Sequence, residues 1–128
     1  MFPLKDDFYY TCEYGNRINP VTGRKQFHTG IDIASPHWIR LIYVYAIADG
    51  KVFESKRGQG YGNYVSIEHT NGFISRYAHF RKRKAFKNQR VVKGQVIGIM
   101  GTTGRSTGRH LHFEIIHNGF IFNPQLLF

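Results

Sequence analysis

Five side chains have the types and spacing to gather a metal ion and activate water: His28, Asp32, His79, His110 and His112. In His28-Thr29-Gly30-Ile31-Asp32, an extended strand would point His28 and Asp32 one way and Ile31 and Ile33 into a core. Gly30, between the two polar groups, is expected to leave room above the backbone for an ion. In His110-Leu111-His112-Phe113-Glu114 the same alternation puts His110, His112 and Glu114 on one face, with Leu111, Phe113 and Ile115 on the other. Two imidazoles facing one space need partners, and a divalent cation is a common reason to gather them. The glycine-rich stretch GTTGRSTG runs directly into this strand, and such loops bring backbone N–H groups close to a ligand. Tyr77-Ala78-His79 adds a further imidazole at the expected end of another strand. His28, Asp32 and His112 are nitrogen and oxygen donors of the kind zinc prefers, and two imidazoles are spare. A catalytic zinc site keeps three protein ligands and an open position for water, whose pKa falls to roughly 7. The spare imidazoles could move protons or stabilise a developing oxyanion. Spacing alone leaves open which of the five bind metal. His37, His69 and His117 lack such company and read as ordinary surface histidines.

The elements that must position these residues read as strands. Asp49-Gly50, Asn71-Gly72 and Asn118-Gly119 are dipeptides suited to tight hairpins, which need positive φ at both central residues. Each lies between apolar, β-branched or aromatic runs: LIYVYAIA and KVFES, YVSIEH and FISRYAHF, LHFEIIH and FIFNP. Alternation is clear from Tyr64 to Glu68 and from Leu111 to Ile115. No window of helical length shows a capped apolar stripe. The expected fold is all-β: a single domain over residues 1–128, mostly antiparallel, with residues 1–13 as an N-terminal extension.

Composition bounds the rest. The 128 residues are 41% apolar and 16% aromatic, enough for a core and too much for intrinsic disorder. No apolar run approaches the roughly 20 residues of a membrane-spanning helix. No basic-then-apolar leader is visible at the start, so either the chain stays where it is made or the sequence is a piece of a longer exported protein. Eighteen Lys and Arg against eight Asp and Glu give a formal charge of +10, which favours a polyanionic partner. Seven of these cations fall between Arg81 and Lys93, a stretch that reads as a solvated loop or as a contact for an anionic polymer. Cys12 is the single cysteine, which argues against a disulfide framework and a cysteine-based zinc site.

The ordered motifs resemble those of the M23 zinc metallopeptidases, the LytM or lysostaphin-type domain. YGNRINPVTGRKQFHTGIDIA, YAIADGKV, GYGNYVSIEHTNGFISRYAHF, VVKGQVIGIMGTTGRSTGRHLHFEI and the closing FNPQLL carry the resemblance, from about Tyr14 to the end. It implies that His28 and Asp32, with His112 from the His-x-His motif, bind Zn²⁺, and that His79 and His110 are catalytic. It also implies an antiparallel β domain with the zinc in a groove walled by loops. The implied activity is endopeptidase cleavage of bacterial peptidoglycan peptides, outside the cytoplasm, by attack of a zinc-bound water. Arg81 to Lys93 would then face an anionic cell-wall polymer. One segment departs from the family pattern: SPHWIRLIYVYA, from Ser35 to Ala46, lacks the usual glycine and carries Trp38, which bears on substrate preference. Two rival readings are a catalytically silent envelope-binding or activator module and a basic nucleic-acid-binding β domain. Retention of all five site residues weighs against the first, and the lack of an RNP-like motif weighs against the second.

Overall fold

The computed structural model describes residues 1–18, 22–104, 106 and 108–128. Alternating β-branched and aromatic residues form strands that pair antiparallel throughout the described residues. A ten-stranded sheet carries, along its main path, β1 (Tyr9–Cys12), β4 (Ile31–Ala34), β11 (Leu111–His117), β8 (Phe73–Arg83), β7 (Gly62–Glu68), β6 (Gly50–Gly58) and β9 (Arg90–Val91). Off that path, β12 (Phe120–Phe122) pairs with β11, and β10 (Val96–Met100) joins both β8 and β5 (Tyr43–Tyr45). A separate two-stranded ribbon is made by β2 (Gly15–Ile18) and β3 (Lys25–His28). A 3₁₀ turn at Pro124–Leu127 closes the chain, its Asn123 side chain accepting from the Gln125 N–H.

Two of the three expected hairpins form. Asn71 and Gly72 have φ of 59° and 78°, Asn118 and Gly119 of 49° and 84°, and these turns join β7 to β8 and β11 to β12. Asp49-Gly50 does not make the third. β5 pairs with β10 and β6 with β7 and β9, so this turn sends the chain from one part of the sheet to another. Gly50 is instead small because β6 lies close to β7 there: a Cβ would meet the Glu68 carbonyl oxygen at 2.5 Å.

The inward face holds Ile31, Ile33, Val65, Ile67, Tyr77, Leu111 and Phe113, all fully buried. Each such side chain contributes about 1.5–3 kcal/mol over its exposed state, which fixes the opposite face of β4 and β11 toward the groove. Tyr77 keeps its hydroxyl satisfied inside the core, accepting from Ile47 N–H at 3.1 Å and from Ser75 Oγ at 2.8 Å. Residues 1–13, expected as an extension, are packed: Leu4 is buried, the Pro3 carbonyl accepts from Tyr45 N–H at 2.8 Å, and β1 forms a sheet edge.

β8 does not end at His79, as the sequence suggested, but runs on to Arg83. It exchanges partners at that point, pairing with β11 from Phe73 to Ala78 and with β10 from Phe80 to Arg83. Arg81, Lys82 and Arg83 therefore belong to a strand, and the loop reading of the basic stretch fails for them. Arg81, Lys82, Lys84, Lys87, Arg90 and Lys93 are all exposed.

Candidate functional site

Register builds the site. Asp32 on β4 is paired with His112 on β11, and directly opposed residues project from the same face. Their carboxylate and imidazole meet there, with Oδ1 and Nδ1 2.7 Å apart. His28 arrives from a different direction. The sequence suggested one strand through His28 and Asp32, yet β3 ends at His28 and β4 begins at Ile31, with Thr29-Gly30 as a break between the two sheets. The bend still delivers His28 Nε2 to 3.2 Å from Asp32 Oδ2. Gly30 was expected to leave space for an ion and does something else. A Cβ there would collide with the Phe113 carbonyl oxygen and reach Glu114 Cγ at 2.9 Å, so the glycine lets the chain press against β11.

His79 and His110 complete the cluster. His79 sits where β8 changes partners, in the left-handed region at φ 67°, which a non-glycine residue adopts only when its surroundings enforce it. Its N–H bonds the Tyr61 carbonyl at 2.8 Å, and its ring lies 4.7 Å from the ring of His110. His110, just ahead of β11, bridges to Gly101 and brings Nε2 to 3.7 Å from Asp32 Oδ1. All five predicted residues therefore line one groove of about 660 Å³, together with Arg17, Tyr61 and Ser106. Arg105 and Thr107 of the glycine-rich stretch, and Asn19 to Val21 of the first motif segment, lie outside the described residues.

Each imidazole is anchored through one nitrogen and turns the other toward the groove. The carbonyls of Glu13, Thr103 and Gly108 accept from the Nδ1–H of His28, His79 and His110, at 2.9, 2.6 and 2.9 Å. His112 is reversed: Nε2 faces Glu114 Oε2 at 2.9 Å, leaving Nδ1 for the groove. For His28, His79 and His110 these partners assign the tautomer, whereas His112 has a carboxylate at each nitrogen.

Glu114 was legible on the His112 face from strand alternation, but the company that gives it a task was not. The fully buried carboxylate is held by Thr29 Oγ1, by Tyr61 Oη at 2.9 Å and by Arg76 Nη1 at 3.1 Å. Arg76 also reaches Glu54 at 3.3 Å, so one cation serves two carboxylates. Burial opposes charging His112, but hydrogen bonds to Asp32 and Glu114 outweigh it and push its pKa up to about 9. Burial likewise raises Asp32, and His112 and His28 more than offset this, holding it well below the usual carboxylate range. For Glu114, burial is outweighed by His112 and Thr29, which leave it at about 2. For His79, burial lowers the pKa, the Thr103 carbonyl opposes, and His110 adds to the lowering. Two ionised carboxylates thus hold His112 between them, Asp32 on the groove side and Glu114 on the buried side.

The donor chemistry fits zinc: imidazole nitrogens and a carboxylate oxygen on one groove wall. Cys12 stands beside two of these donors, a placement that its solitary position in the sequence did not announce. Its Sγ, a ring nitrogen of His28 and a carboxylate oxygen of Asp32 all lie within 4.8 Å of one another. A second groove of about 530 Å³ meets the first at His110 and is lined by Tyr9, Ser35, Pro36, His37 and Trp38. Arg109 pins this wall through the Pro36 and Ile39 carbonyls, at 3.0 and 2.6 Å, and leaves Trp38 71% exposed.

An antiparallel sheet carrying a histidine–aspartate cluster in a loop-walled groove defines a class, the β-sheet metallopeptidase domains. The chain belongs to peptidase family M23, whose family model matches residues 26–124. This agrees with the resemblance read from the motifs. The chain is 42% identical over 109 residues to the peptidoglycan DD-endopeptidase ShyC of Vibrio cholerae, covering 85% of this chain and 24% of that protein. Among solved structures, a zinc-containing peptidase from Vibrio cholerae superposes with a TM-score of 0.86 at 37% identity, over 95% of this chain and 37% of that one. The catalytic domain of the prophage-encoded M23 protein EnpA from Enterococcus faecalis gives 0.78 at 31% identity, over 92% and 89% of the two chains. The chain spans about a quarter of the length of the curated relatives it matches.

Proposed function

We propose that the protein is a zinc-dependent endopeptidase of bacterial peptidoglycan peptides, acting outside the cytoplasm. The observation that carries this reading is the orientation of the four imidazoles, each tied down by one nitrogen with the other aimed into a shared groove beside Asp32. His28 Nε2, an oxygen of Asp32 and His112 Nδ1 would hold the ion. Zn²⁺ bound by these donors supplies Lewis acidity that makes water a nucleophile near neutral pH. Glu114 keeps the His112 ring in the tautomer that leaves Nδ1 free to ligate, and a carboxylate partner of this kind also raises ligand basicity.

His79 and His110 enter as acceptors, because their Nδ1 protons are spent on backbone carbonyls. His110 stands nearest the donor set and takes the proton of the attacking water. His110 then gives that proton to the leaving amine. His79, its ring 4.7 Å away, in its protonated form stabilises the carbonyl oxygen, the proton coming from solvent and staying on the ring through the cycle. Relatives named peptidoglycan DD-endopeptidases support the substrate class. The exposed cations between Arg81 and Lys93 are proposed to hold the protein on an anionic wall polymer; loss of wall binding with rising salt tests this.

Purified peptidoglycans of several crosslink types, digested with the zinc-loaded protein and analysed by product mass, test the proposal. New amino termini at a single type of peptide bond are expected. Zinc-loaded protein that releases nothing from any crosslink type would sink it and leave the silent-module reading.

A further inference from the structure

A second groove adjoins the metal groove, and the reaction proposed above leaves it without a task. It holds about 530 Å³ and shares His110 with the first, so one bound molecule can occupy both. β4 leads into it at Ser35, and β1 lines it with Tyr9 and Thr11, Tyr9 standing opposite Ala34. Trp38 lies in a turn closed by the Ile39 N–H on the Pro36 carbonyl at 3.1 Å, and its ring meets that of His37 edge-on at 5.4 Å between centroids. Arg109 donates to the carbonyls of Pro36, Ile39 and Arg40, at 3.0, 2.6 and 3.3 Å, which fixes the turn before any ligand arrives. A tryptophan held in place yet exposed is a contact surface kept ready for a partner. Ser35 supplies a second sign. It is 4% exposed, and its Oγ has no hydrogen-bond partner among the described residues. Buried hydroxyls are almost always paired, so an unpaired one beside a cavity points to an occupant.

Charge and chemistry of the lining select the kind of occupant. Among the described residues that line this groove there is no Asp, Glu or Lys, and its guanidinium, that of Arg109, is engaged by carbonyls. What remains is hydroxyl groups on Tyr9, Thr11 and Ser35, the His37 imidazole and a flat indole. That set suits a neutral ring with a C–H face to stack and hydroxyl and amide groups to hydrogen-bond, which describes an N-acetylated hexose. A charged peptide segment would lose its hydration here and find no counter-charge. We propose that this groove is a sugar subsite, seating an N-acetylhexosamine of the glycan strand on Trp38 while the peptide bonded to that strand lies in the metal groove. The inference rests on the peptidoglycan reading given above and adds the glycan to what is recognised. Ser35 Oγ pairs with a hydroxyl or acetamido group of the seated ring. The segment from Ser35 to Ala46, which departs from the family pattern, thereby sets a preference for peptides still attached to glycan over free ones.

Trp38 is the single tryptophan, so the protein's indole emission reports on this groove alone. The zinc-loaded full chain, titrated with a β-1,4-linked trimer of N-acetylglucosamine, should show a saturable blue shift. The shift should be the same at low and high salt, because the ligand is neutral. No shift, or one that salt abolishes, overturns the inference. A sugar-free crosslinked peptide that shifts the emission where the trimer does not overturns it too, in favour of a peptide subsite. By calorimetry, Trp38→Ala should weaken trimer binding about tenfold and Ser35→Ala severalfold; parental affinity in either overturns the seat described. In turnover, the parent should cleave crosslinked peptides that retain their sugars with a KM about tenfold below that of the same peptides stripped of sugar. Trp38→Ala should erase that advantage. Equal KM values in the parent, or an advantage that survives in the variant, overturn the inference. A chain that cleaves neither substrate defeats the endopeptidase reading instead, and the emission titration then decides the sugar subsite by itself.

Discussion

The imidazoles of the groove are held in two different ways. His112, inside the sheet, leans on a buried carboxylate that is itself fixed by Thr29, Tyr61 and Arg76. His28, His79 and His110, around it, lean on the backbone carbonyls of Glu13, Thr103 and Gly108. A carbonyl fixes a tautomer and an angle, whereas a carboxylate also makes the ring a stronger base. The sheet side is therefore built for affinity and the carbonyl-held rings for position. His28 is the test case, a proposed metal ligand held by a carbonyl.

The largest effect should come from the sheet side. Asp32→Ala or His112→Ala should abolish stoichiometric zinc, read by metal analysis after dialysis against buffer. Full occupancy in a His28→Ala/His112→Ala double variant would break the division. Next, His79→Ala and His110→Ala should keep their zinc and lose roughly 10²–10⁴-fold in turnover, the usual cost of one acid–base group. A variant of either with full metal and near-parental turnover would remove that residue from the reaction.

A smaller effect separates affinity from position. Glu114→Gln keeps the shape beside His112 and removes the charge, so zinc affinity should fall about 10–100-fold in chelator competition. An unchanged affinity would make the two kinds of anchorage equivalent. The smallest effect lies at the outer end of the same network. Burial raises the Glu54 carboxyl, but the Tyr64 hydrogen bond and the Arg76 charge outweigh it and hold it below 4.5. A depressed carboxyl stabilises the fold above its unfolded value, and that stability is lost as pH falls through the folded one. Glu54→Gln should thus cost less than about 1 kcal/mol at neutral pH. The gap between parent and variant in urea midpoint should close as pH drops below 4.5. A gap that widens instead would contradict this sign.

What could be read from the sequence was local. Asn71-Gly72 and Asn118-Gly119 specify their hairpins because both left-handed positions lie within the turn itself. The Asp49-Gly50 hairpin failed because the partner of β5 comes from Val96–Met100, some fifty residues away, which no local pattern announces. The groove face of β11 followed from alternation, and Glu114 with it. The partners of Glu114 come from Thr29, Tyr61 and Arg76, three separate segments that only the tertiary fold assembles. The place of Cys12 beside His28 and Asp32 was hidden for the same reason: a lone cysteine carries no spacing, and its position depends on a register shift between β1 and β4.

The pairing of Asp32 with His112 also makes the site a proofreader of its own fold. Side chains alternate strictly along β4, so slippage of one residue against β11 would turn Asp32 inward and bring Ile31 or Ile33 out. A slip of two residues would keep Asp32 on the groove face but set it opposite His110 or Glu114, and so would also break its pairing with His112. A preparation of this protein should therefore hold two populations only, molecules that take up metal with full affinity and molecules that take up none. Metal content per chain would then count the correctly threaded fraction, independently of any assay of what those molecules cut.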